Sequence, residues 1–131
     1  MKLADTTFLI DLLRGDPDAV EAAETLEREG GAATTSINVY ELFTGVYNIA
    51  GSDKRAEQAE RMMGRLEVFS VDEASAKAAA AVTASKRRSG EPLDVLDTLI
   101  AATGVANGCK TVLTRNVRHF SKMPGIRAET Y

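Results

Sequence analysis

Cysteine and histidine are almost absent from this 131-residue chain. One cysteine, Cys109, forbids an internal disulfide and leaves a zinc cluster without ligands, so nothing calls for an oxidising compartment. The single histidine, His119, removes the usual histidine-based metal and triad chemistries. Neither residue has a partner at a metal-ligand spacing. Cys109, beside Gly108, reads as a small core residue, and His119 as a structural or surface residue. There are three prolines, no low-complexity linker and no internal repeat. No apolar run approaches the roughly 18 residues that crossing a bilayer requires, and Met1-Lys2-Leu3-Ala4-Asp5 opens no such run. The expectation is a cytoplasmic protein with no membrane association.

What is present fits one compact domain spanning 1–131. Apolar residues at 44% and charged residues at 27% are a globular balance, so folding is expected. The net charge of -3 argues against coating nucleic acid by charge alone. Its distribution says more: residues 98–131 hold five bases and one acid, against three bases and nine acids in residues 1–50. A basic end and the cluster Lys86-Arg87-Arg88 offer local contacts to a phosphate-bearing partner; the alternative is that these cations simply solubilise helix ends.

The apolar pattern alternates short strands with helices. Lys2 to Asp5 reads as a strand ending in a polar corner, followed by a short helix through Phe8, Leu9, Ile10, Leu12 and Leu13. Asp16-Pro17 reads as an N-cap and first helical residue, launching Asp18 to Glu29. Ala32 to Ser36 is a strand, with Ser36 capping a helix that carries Val39, Leu42, Phe43, Val46 and Tyr47. A charged helix over Asp53 to Gly64 precedes a strand over Leu66 to Val71. Asp72 then caps an alanine-rich helix from Glu73 to about Arg88. A helix from about Val95 to Asn107, a strand over Thr111 to Thr114, a short helix or turn at Val117 to Phe120 and an edge strand over Gly125 to Ala128 complete the chain. This order predicts a three-layer α/β/α sandwich around a mostly parallel sheet. In such folds, chemistry collects beyond the carboxyl ends of the strands.

Polar residues that fall there form an acidic set. Asp5 ends the first strand, where a carboxylate either joins others around a cation or caps the next helix. Glu41 lies about 7.5 Å into its helix and within reach of the same rim; facing water, it would be an ordinary helix former. Asp94 and Asp97 straddle a helix start, where both suit capping; the sequence does not say which points into the cleft. Asn116 either caps the next short helix or supplies a carbonyl oxygen to a metal or its water shell. Thr6 and Thr114 are candidate hydroxyls for orienting carboxylates.

Four segments carry a family likeness: Ala4-Asp5-Thr6-Thr7 with Leu9-Ile10-Asp11-Leu12-Leu13; Glu41-Leu42-Phe43-Thr44-Gly45; Asp97-Thr98-Leu99-Ile100-Ala101-Ala102; and Leu113-Thr114-Arg115-Asn116 with His119-Phe120. In this order the chain resembles the PIN-domain ribonucleases, and within them the VapC toxins of prokaryotic toxin–antitoxin pairs. The resemblance implies a parallel sheet of four or five strands and an acidic pocket for Mg²⁺ or Mn²⁺. The family's first three acids fall on Asp5, Glu41 and Asp97. Its fourth position, aspartate in many members, is Asn116, which weakens the case for a second tightly held metal. Asp94 lies outside the matched segment. Members of the family cut structured RNA, often transfer or ribosomal RNA, and are silenced by a small VapB-like antitoxin whose tail enters the active groove.

With no histidine, cysteine or lysine among these acids, direct attack of water on phosphorus is the expected chemistry, leaving 5′-phosphate and 3′-hydroxyl ends. Glu41 is the candidate to position or deprotonate that water. Arg14, Arg115, Lys86, Arg87 and Arg88 are candidate contacts to the RNA backbone. Met62, Met63, Phe43, Tyr40 and Tyr47 are either core or the apolar surface of a homodimer or antitoxin contact. Three other readings compete: a phosphoacceptor signalling domain, a non-catalytic binding module of the same fold, and a DNA-directed nuclease of that fold.

Overall fold

The computed structural model describes residues 1–131 as five strands and seven helices. The strands are β1 (Lys2–Ala4), β2 (Ala32–Thr35), β3 (Glu67–Phe69), β4 (Thr111–Leu113) and β5 (Arg127–Glu129). The helices are α1 (Thr6–Leu13), α2 (Pro17–Arg28), α3 (Ser36–Tyr47), α4 (Asp53–Met63), α5 (Glu73–Arg88), α6 (Val95–Ala106) and α7 (Val117–Phe120). All pairings are parallel, in the order β3-β2-β1-β4-β5. From β1 the chain adds β2 and β3 on one side and β4 and β5 on the other, so strand order reverses beside β1. That crevice is where a doubly wound sheet presents its ligands. The order also disposes of the phosphoacceptor reading, whose doubly wound sheet runs 2-1-3-4-5.

Side chains of successive strand residues point to opposite faces, and the two halves of the core follow that period of two. Leu3, Ala33 and Val112 pack with Ile100, Ala101, Phe120, Met123 and Ile126 on one face. Ala4, Ala32 and Leu113 pack with Phe8, Leu9, Leu26, Leu42, Phe43 and Val46 on the other. Both faces of every central strand are covered, which is why these strands read as short apolar runs. Alanine-rich α5 packs against α6, its small side chains permitting a close approach.

Most predicted elements fall where the pattern placed them, with local shifts. The cap of α3 is Thr35, not Ser36: Thr35 and Asn38 form a reciprocal capping box, and Ser36 Oγ instead accepts from the Val71 N–H. Strand β3 is shorter than Leu66 to Val71, and β5 runs to Glu129. Asp16 caps α2 ahead of Pro17, Asp72 caps α5 and Asp94 caps α6, as their residue types suggest.

Gly104 lets α6 approach Leu3 of β1 closely. A methyl group there would stand 2.7 Å from Leu3 Cδ2, so the side chain of Leu3, fully buried in the central strand, would have to shift within the core. Replacing glycine by alanine within a helix ordinarily gains about 1 kcal/mol. Here overpacking costs about 1–3 kcal/mol and exceeds it. Gly104→Ala is therefore expected to lower unfolding stability by about 1 kcal/mol in a denaturant titration; a stabilised variant would show that α6 can retreat from β1.

Candidate active site

Asp5 follows β1 at the reversal point and is 2% exposed. Its backbone occupies the N-cap position of α1, yet its side chain caps nothing. The carboxylate is held from three directions: Thr114 Oγ1 donates to Oδ2 at 2.7 Å, Thr7 Oγ1 to Oδ2 at 3.1 Å, and Asn38 Nδ2 to Oδ1 at 3.3 Å. No lysine, arginine or histidine pairs with it. The two hydroxyls are themselves pinned, Thr114 Oγ1 by the Asn116 N–H at 2.8 Å and Thr7 Oγ1 by the Arg115 N–H at 2.9 Å. The turn after β4 is thus stitched to the start of α1.

Glu41 stands in the second turn of α3, half-buried, with Thr6 Oγ1 donating to its Oε1 at 2.7 Å. Burial pushes its pKa up, and repulsion from Asp5, Asp97 and Asp94 adds to the rise against the lowering effect of Thr6. Asp97, in the first turn of α6, is raised by burial and by Asp94 and Asp5, against the hydrogen bond from His119. The carboxylates of Asp5, Glu41 and Asp97 therefore share one electrostatic site. Asp94 is exposed and serves the helix, accepting the Asp97 N–H at 3.0 Å, although its charge is felt at the rim. Asn116 begins α7 by position, but its side chain makes no capping bond.

Three residues beside these acids were not read as site residues in the sequence. His119, read as structural or surface and expected to lie away from the acids, has its Nδ1 3.0 Å from Asp97 Oδ2; a lone histidine far along the chain gives no spacing signal. Thr7 was screened by its more suggestive neighbour Thr6. Asn38 was visible only as the far half of a Thr35-x-x-Asn38 capping box.

The basic residues divide. Arg115 is exposed beside the rim, with its Nε 2.9 Å from Asp11 Oδ2, which also accepts from the Tyr131 hydroxyl at 2.5 Å. Arg87 lines a surface hollow with Val95, Thr98 and Leu99, so the cluster at the end of α5 stands beside the start of α6. Lys86 pairs with Glu91 at 3.5 Å. Arg14 is exposed at the end of α1. Of the apolar residues considered for an interface, Phe43 belongs to the core and Met62 and Met63 pack against it, whereas Tyr40 and Tyr47 are exposed on α3. A separate cleft of about 540 Å³ opens between α1, α2 and α4, lined by Phe8, Leu12, Leu13, Leu26, Met62 and Leu66; none of the rim acids enters it.

A divalent cation fits the chemistry of the rim. Its donors are hard carboxylate oxygens, which suit Mg²⁺ or Mn²⁺ rather than a thiolate-seeking metal. No three acids or histidines close into a ready-made cluster. Mg²⁺ does not demand one, since it usually keeps several waters and takes one or two carboxylates. Glu41 and Asp97 are raised chiefly by burial and secondarily by repulsion from the neighbouring acids, and a cation among these residues would stabilise their charged forms.

Comparison with known proteins agrees with this geometry. Residues 2–126 match the PIN domain family, and the chain belongs to that family. Within it the chain is VapC-like. It is 32% identical to ribonuclease VapC19 of Mycobacterium tuberculosis over 97% of this chain and 98% of the relative. It is 27% identical to the tRNA(fMet)-specific endonuclease VapC of Salmonella typhimurium, over 98% and 96% respectively. A crystal structure of DNA-bound VapBC from Salmonella typhimurium superposes with a TM-score of 0.87 at 27% identity, covering 99% of this chain and 98% of that one.

The raised Glu41 fixes the sign of a stability effect. A carboxylate whose folded pKa lies above its unfolded value favours the native state below the unfolded pKa, and that contribution is lost as pH rises through the folded pKa. At pH 8 with EDTA, the charged Glu41 is therefore a burden, and Glu41→Gln is expected to raise the melting temperature by a few degrees. The gap should narrow as the pH is lowered towards the ordinary glutamate value of 4.5; a gap that stays constant with pH would mean that charge is not its cause.

Proposed function

We propose that this protein is a metal-dependent endoribonuclease toxin of the VapBC type, hydrolysing phosphodiester bonds in structured RNA, transfer or ribosomal, to leave 5′-phosphate and 3′-hydroxyl ends. The observation that supports the reading is that Asp5, at the end of β1, Glu41 of α3 and Asp97 of α6 lie close enough to act on one another electrostatically, with no arginine or lysine paired to any of them. Asp5, Glu41 and Asp97, with the side-chain carbonyl of Asn116, are the residues that would hold Mg²⁺ or Mn²⁺. Bound there, the ion supplies a more acidic water and neutralises charge on the scissile phosphate. Thr7, Thr114 and Asn38 keep Asp5 oriented, and His119 does the same for Asp97. Glu41, with its elevated pKa, is suited to take the proton of the attacking water. Arg115 and the Arg87-Arg88 end of α5 flank the rim and hold the RNA backbone without reading its sequence. Arg14 and Lys86 contribute charge from farther out.

The partner of this toxin is a VapB-like antitoxin, in keeping with the VapBC complexes among the structural neighbours. The apolar cleft between α1, α2 and α4, edged by Glu24, Glu27, Arg61 and Arg65, offers it a seat. The exposed Tyr40 and Tyr47 of α3 offer apolar surface to a second copy of the chain. No helix is long and apolar enough to cross a membrane.

Cleavage of an initiator tRNA transcript and of total RNA, with Mg²⁺ and with EDTA, tests the reading. Asp5→Asn is expected to reduce cleavage by about 100-fold or more while leaving the circular dichroism spectrum unchanged, because the amide keeps the shape of the carboxylate and loses its charge. Near-native cleavage by this variant at equal metal would remove Asp5 from the site, and cleavage indifferent to EDTA would remove the metal. A wild-type protein inert on every RNA would favour the non-catalytic module, and a preference for DNA of matched sequence the DNA-directed nuclease. Asn116→Asp is expected to tighten Mn²⁺ binding in a calorimetric titration; clearly weaker binding would show that the asparagine does something a carboxylate does not.

A further inference from the structure

We propose that Asn38 is a positioning residue of the acidic rim, its buried side-chain amide setting the spacing and orientation of Asp5 and, through Thr6, of Glu41. The inference rests on the nuclease reading of that rim and deepens it.

Asn38 is fully buried, one turn before Glu41 on α3. One backbone group fixes the direction of every hydrogen bond around it. The Thr35 N–H can only donate, and it faces Asn38 Oδ1 at 3.2 Å; Thr35 Oγ1 donates to the same oxygen at 2.7 Å. The amide nitrogen must therefore face the opposite way, where it donates to Thr6 Oγ1 at 3.0 Å and to Asp5 Oδ1 at 3.3 Å. Its two hydrogens match these two acceptors. Thr6 Oγ1, having accepted one hydrogen bond, passes its single hydrogen to Glu41 Oε1 at 2.7 Å. The result is a one-way relay of donors from the β2–α3 junction into two carboxylates.

Capping α3 requires only the oxygen half of this side chain. The nitrogen half does no capping and is committed to the acids, which separates a positioning role from a merely structural one. Partners of this kind, behind the groups that touch a metal, typically change metal affinity about 10–100-fold when removed.

The test uses the full-length chain, Mn²⁺ alone as the probe, and calorimetric titration alongside melting curves. Asn38→Ala and Thr35→Ala each remove one half of the capping box, so both are expected to melt at lower temperature. Only Asn38→Ala is expected to bind Mn²⁺ about tenfold more weakly, with Thr35→Ala staying within about twofold of wild type. Thr6→Val, nearly isosteric and outside the cap, cuts the arm to Glu41 and is expected to weaken binding several-fold. Equal Mn²⁺ affinity in Asn38→Ala and Thr35→Ala would overturn the proposal. If Asn38→Ala fails to fold, wild-type affinity in Thr6→Val would overturn it instead. Wild-type protein that binds no Mn²⁺ would sink the nuclease reading and this inference together, whereas normal wild-type binding with indifferent variants would sink the inference alone.

Discussion

A carboxylate buried at the centre of the sheet without a counter-cation is the constraint on which the rest of the structure depends. Desolvating an isolated charge is costly enough that it must be answered by specific donors. For Asp5 those donors come from three separate elements: Thr7 of α1, Asn38 of α3 and Thr114 at the end of β4. All three must be in register for the charge to be tolerated. The fold and the site therefore specify one another, since a slip of β4 against β1 would remove Thr114 from Asp5 as well as misalign the ladder.

The other acids of the rim sit near basic residues that do not neutralise them. Asp97 lies in the first turn of α6, where the positive end of the helix favours an anion and Asp94 satisfies the Asp97 N–H. These contacts do not offset the burial of Glu41 and Asp97 and the nearness of the other acids, which together hold both above their ordinary values. Arg115 is restrained by Asp11, and Arg87 at the basic end of α5 lies beside the start of α6. Under the proposed function, an acidic protein of net charge -3 would engage RNA through such a local surface rather than through its overall charge.

The architecture was legible in the sequence because its signals are local. An acid directly after an apolar strand, a proline after an aspartate, and short apolar runs separated by helices each reflect a constraint that acts over a few residues. The acids of the rim were legible for the same reason. Their hydrogen-bond partners were not, because those contacts join residues distant in the chain. Thr35-x-x-Asn38 announces a helix cap, yet nothing in that spacing shows that the other face of the amide meets Asp5. His119 offered no companion in the sequence and finds its partner, Asp97, only when α7 docks beside α6. Ser36 misled for the opposite reason: serine and threonine cap helices comparably, and the backbone of Thr35, still extended at the end of β2, decides between them.

Asn116 carries the last consequence of this charge arrangement. The rim brings together three carboxylates, with Asp94 close enough to add to their repulsion. A divalent ion held there would offset two of those charges, and a phosphate beside it would add negative charge again. A fourth carboxylate would supply the excess needed to retain a second ion; an asparagine supplies an oxygen without that charge. Its side chain is also free of capping duty, so the carbonyl can serve a water shell as readily as a metal. If the proposed nuclease site holds, a rim with asparagine in place of a fourth carboxylate would retain one divalent ion more readily than two, and Arg115, one residue away in the chain, is already paired with Asp11 rather than with any rim acid.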